Sequence, residues 1–82
     1  MSSTEILRNK GRLAEARDKA ANLKLKIEGL VKAMRENLDE FAKLEELPLE
    51  LVVEQALQAA ELQIELKETL GTIAALKRAL GR

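Results

Sequence analysis

Apolar residues return every seven positions in two runs along the chain, with a single proline between them. The first run is Ile6, Leu13, Ala20, Ile27, Met34 and Phe41; the second is Val52, Ala59, Leu66, Ile73 and Leu80. Residues seven apart lie on nearly the same side of a helix, so each run marks a long helix with a buried seam. A companion set completes the first seam: Asn9, Ala16, Leu23, Leu30, Asn37 and Leu44. Pro48 separates the two patterns. A residue before proline is pushed away from helical angles, while proline itself suits the first turn of a new helix. The pattern predicts helix 1 over about 4–46, a turn at about 46–48 and helix 2 over about 48–80, all within one domain spanning residues 1–82.

End signals agree with these limits. Ser2 and Glu5 form an S-x-x-E capping pattern, which satisfies free amides at a helix start. Glu50 and Glu54 suit the positive end of helix 2, and Lys77, Arg78 and Arg82 its negative end. Gly81 is a candidate C-terminal cap. Gly11 and Gly29 carry an entropic cost inside helix 1, and Gly11 is a candidate for a frayed or bent first turn.

A short connection makes the helices antiparallel neighbours. Folding about Pro48 brings Leu44 to Val52, Asn37 to Ala59, Met34 to Leu62, Leu30 to Leu66, Leu23 to Ile73 and Ala20 to Leu76, with both heptads in phase. The expected core is Leu23, Ile27, Leu30, Met34, Phe41, Leu44, Val52, Leu62, Leu66, Ile73 and Leu76, with Asn37 and Gln55 as polar seam positions. Residues 1 to about 13 would overhang. Helix 2 carries a second stripe on another face: Val53, Leu57, Ala60 and Ile64, spaced 4, 3, 4. A lone hairpin exposes that stripe. The fold class expected is therefore all-α: an antiparallel, coiled-coil-like two-helix hairpin that dimerises into a four-helix bundle through those four residues.

Composition sharpens this picture. The chain has 82 residues, no cysteine, no histidine and one aromatic residue, Phe41. Small scaffolds are commonly held by disulfides, a metal or a partner chain. The first is excluded and the second has lost its commonest ligands, so homo-oligomerisation is the expected route to stability. The residues Met1–Gly11 lack the apolar core of a secretory signal. No run approaches the roughly 18 apolar residues of a membrane span. A soluble, cytoplasmic protein without membrane contact is the expectation.

Candidate chemistry is sparse. With neither His nor Cys, the commonest general bases and nucleophiles are missing. Gly11, Gly29, Gly71 and Gly81 stand alone and build no phosphate loop. Glu45, Glu46 and Glu50 crowd the turn without the spacing of a calcium loop. The expectation is a protein that is no enzyme, with no cofactor and no metal site.

Charge is segregated although the chain is neutral. Residues 1–35 hold nine basic and four acidic side chains, 36–68 hold two and ten, and 69–82 hold three and none. In a hairpin this sets a basic open end against an acidic turn end. Exposed pairs contribute little each, so such a dipole selects orientation while apolar burial supplies affinity. Arg12, Arg17, Lys19 and Lys24 form a candidate basic patch for nucleic-acid phosphates. Glu15 and Asp18 interrupt it, and no aromatics accompany it for base stacking. In size and composition the chain resembles small helical accessory proteins, including those of phages and prophages; the resemblance rests on no motif and carries over no functional residue. The expected function is that of a self-associating structural or adaptor hairpin. The alternative is an accessory or inhibitor protein using the basic open end, for nucleic acid, or the acidic turn end.

Overall fold

The computed structural model describes residues 1–81, and they form two long antiparallel helices joined by an irregular connection. α1 spans Ser3–Asn37, α2 spans Leu44–Glu46 as a single 3-10 turn, and α3 spans Leu49–Leu80. The particle measures 63 × 15 × 14 Å, one helix pair thick. Arg82, grouped above with the basic residues ending the last helix, lies outside the described residues.

Both long helices are built from strong helix formers, and their ends follow local chemistry. Ser2 caps α1, its Oγ accepting the Glu5 amide at 3.1 Å. α1 runs unbroken through Gly11 and Gly29. The Gly81 amide closes α3 by donating to the Lys77 carbonyl at 2.7 Å. A Cβ at Gly81 would stand 2.9 Å from that carbonyl oxygen, so the close approach favours glycine.

The seam lies where the heptads place it. Ala20, Leu23, Thr69, Ile73 and Leu76 are buried. Ile27, Leu30, Met34, Val52, Leu62 and Leu66 are half-buried, as a two-helix pair allows. Three polar seam residues, Asn37, Gln55 and Thr69, form hydrogen bonds within the hairpin. The Thr69 hydroxyl donates to the Glu65 carbonyl at 2.8 Å. Asn37 Nδ2 donates to Gln55 Oε1 at 3.1 Å across the helices. A paired polar contact of this kind fixes register at some cost in stability.

Three expectations need correction, and they share a cause. α1 ends at Asn37, not near residue 46. Asp39 Oδ1 accepts the Phe41 amide at 2.9 Å, and the Ala42 amide donates to the Asp39 carbonyl at 3.2 Å. An Asp bonded to the backbone two residues on makes a turn in place of helix. Phe41 and Leu44 therefore never reach the seam; they are 88% and 82% exposed and are not core residues. The connection covers residues 38–48 rather than three. Pro48 lies at the centre of an inverse γ-turn, φ −82° and ψ 62°, with the Leu49 amide bonded to the Leu47 carbonyl at 2.9 Å.

The earlier stop slides the helices by about one heptad, a step that keeps the seams in phase. Asn37 meets Gln55 instead of Ala59. Leu23 lines a groove with Leu62 and Glu65. The N-terminal residues do not overhang: Met1, Ile6 and Lys10 line a groove with Ala79 and Leu80.

Burial sorts the two large residues once assigned alike. Leu23→Ala should destabilise the hairpin by about 2–4 kcal/mol through a seam cavity. Phe41→Ala should change stability by less than about 0.5 kcal/mol. Urea denaturation followed by circular dichroism measures both, and equal losses would place Phe41 back in the seam.

Candidate interaction surface

Two faces of α3 are apolar, and only one is covered. The seam face packs on α1. At 3.6 residues per turn, each residue advances about 100°, which puts Val53, Leu57, Ala60 and Ile64 about 150° around α3 from the seam. All four are exposed, with Val53 at 58%, Leu57 at 61% and Ile64 at 59%. A surface helix normally pairs an apolar stripe with a polar face; α3 carries a second apolar stripe on its exposed side. The structure thus gathers the four candidate interface residues into one continuous stripe along the outside of α3.

The surface area reflects the same open construction. The accessible surface is 6388 Å². A compact monomer of 9.1 kDa exposes about 4,900 Å². The excess of about 1,500 Å² comes from the thin, elongated shape. A standard protein–protein contact covers about 800 Å² per partner.

Further apolar groups crowd the turn end. Beside Phe41 and Leu44, Leu38 and Leu49 are about half exposed. Asp39, Glu40, Glu45, Glu46 and Glu50 alternate with them along the chain, with Lys43 the basic residue in this stretch. Sequence pattern assigned Phe41 and Leu44 to the seam and so missed this acidic, apolar tip. The overlooked signal was the Asn37 and Asp39 pair, two turn-forming residues inside an otherwise helical run.

The four candidate phosphate-binding residues divide between two flanks. Arg12 and Lys19 are seven apart on one side of the α1 seam, and Arg17 and Lys24 are seven apart on the other. Lys19 Nζ also lies 3.1 Å from Glu65 Oε1, the one ion pair among the described residues. That pair joins matching flanking positions of the two seams, as antiparallel helices require. Both side chains are about half exposed, so it contributes little to stability.

Among the described residues no group of three or more Asp or Glu is placed to hold a metal ion. No helix among them is long and apolar enough to cross a membrane. Comparison with known proteins finds no match to any family model, any curated protein or any solved structure.

The split of basic residues has a measurable consequence. A straight duplex placed on this helix would meet one flank at a time, so at most two of the four would contact phosphate together. Changing Arg12, Arg17, Lys19 and Lys24 to Gln should reduce the slope of log affinity against log salt for duplex DNA by about 1.8. A reduction of about 3.6 would show that the four act as one patch.

Proposed function

We propose that this protein is a non-enzymatic interaction module: a helical hairpin that self-associates through the outer face of α3 and acts as a structural or adaptor element. The observation that carries this reading is the exposed stripe Val53, Leu57, Ala60 and Ile64, which faces away from the seam. Burying a Leu or Ile side chain contributes about 1.5–3 kcal/mol. Three large side chains and an alanine per copy form the apolar centre of a contact whose area the elongated shape supplies. Phosphate recognition by the basic open end is the alternative, and the division of Arg12 and Lys19 from Arg17 and Lys24 gives it less support.

Sedimentation equilibrium should give about twice the chain mass at micromolar concentration. Leu57→Glu combined with Ile64→Glu should shift the protein to monomer while helicity persists, because each carboxylate would be desolvated without a partner. Unchanged association in that variant would show that another face makes the contact. A helical wild-type monomer at all concentrations up to about 1 mM, far above the range of specific dimers, would remove the reading.

A further inference from the structure

The outer stripe of α3 is longer than its apolar centre. Continued in both directions it reads Glu50, Val53, Leu57, Ala60, Ile64, Lys67, Gly71, Ala74 and Arg78. The spacing alternates 3 and 4 throughout, which is the spacing of a coiled-coil seam. This second heptad runs the length of α3, offset from the one facing α1. It is acidic at its beginning, apolar in the middle and basic toward its end. Glu50 and Lys67 are exposed, and neither joins an ion pair among the described residues.

We propose that this second seam joins two copies of the chain antiparallel, about a two-fold axis between Leu57 and Ala60, with Glu50 of each copy against the partner's Lys67. The inference rests on the self-association reading and specifies its geometry. In an antiparallel seam the two position types of a heptad face one another. Setting Leu57 opposite the partner's Ala60 places Val53 opposite the partner's Ile64 and Glu50 opposite the partner's Lys67. Each row repeats across the axis, as an isologous contact demands. Large side chains meet small or branched ones in the centre, and opposite charges close both ends.

Other alignments lose these matches. A parallel pair sets Glu50 on Glu50 and Lys67 on Lys67. Sliding the antiparallel pair by one heptad puts Lys67 against Leu57, or Glu50 against Ala60. One flank of the favoured arrangement brings Glu54 near the partner's Glu61. Those carboxylates lie at the solvent edge, where screening acts, whereas Glu50 and Lys67 lie on the seam itself. The opposite flank brings Leu49, 52% exposed, to the partner's Leu70, 42% exposed.

Because the two seams of α3 are about 150° apart, the four long helices form a row, α1–α3–α3–α1, and not a square bundle.

Distances between nitroxide labels test this geometry in the full chain. Gln58→Cys and Thr72→Cys each place one label at an exposed position off both seams, and the chain has no other cysteine. With a rise of 1.5 Å per residue, two labels at 58 should be about 20 Å apart and two at 72 about 40–45 Å. About 20 Å at both sites would mean a parallel pair and overturn the proposal while leaving self-association standing. No dipolar coupling at any concentration would overturn both. Charge reversal checks the contact itself. Glu50→Lys or Lys67→Glu alone should weaken the dimer roughly tenfold, since each puts like charges together twice across the axis. The double variant should recover most of that loss. A double variant as weak as the singles would show that Glu50 and Lys67 do not meet.

Discussion

The bond from the Phe41 amide to the Asp39 carboxylate, 2.9 Å long, holds the turn that follows the end of α1 at Asn37. Where α1 stops decides which heptads of the two helices meet. A heptad seam specifies phase strongly and position weakly, because a slide of seven residues returns equivalent residues to the interface. The connection chooses among those slides. Here it draws Asn37 to Gln55 and brings the start of α1 alongside the end of α3. Had α1 continued toward Pro48, Phe41 and Leu44 would join the seam and the N-terminal turns would lie bare.

The in-phase part of the fold is visible in the residue pattern for a physical reason. Every position assigned to the seams from Ile6 to Asn37 and from Val52 to Leu80 is buried or half-buried. Helical periodicity and apolar burial act in the same direction there. The connection is less visible because its determinants are local hydrogen bonds. Leu38, Phe41 and Leu44 continue the apolar rhythm that a helix would use, and a periodicity argument follows them. Asp39 opposes that rhythm through one side-chain bond, to the Phe41 amide.

The interaction surface was legible to a different extent. Val53, Leu57, Ala60 and Ile64 stand out by spacing alone, and the structure adds what spacing lacks: their distance around α3 from the seam and their exposure. That placement gives α3 a different role from α1. α1 is apolar toward α3 and largely polar elsewhere, with Leu7 and Leu25 as isolated exposed leucines, which are ordinary on a surface. α3 is apolar toward α1 and again on its far side. A pair of helices is too thin to enclose a helix with two such faces, so the proposed function follows from an asymmetry between the two helices rather than from any reactive group.

Side-chain accessibility in solution tests that asymmetry most directly. A soluble paramagnetic agent bleaches the methyl signals it can approach, and accessibility can be followed with dilution. The methyls of Val53, Leu57 and Ile64 should be protected at high concentration like those of Leu23 and Ile73, and lose protection on dilution. Leu7 and Leu25 should be bleached throughout. Bleaching of Val53, Leu57 and Ile64 at every concentration, with Leu23 and Ile73 still protected, would contradict it: the far face of α3 would then be open surface, and the hairpin complete as it stands.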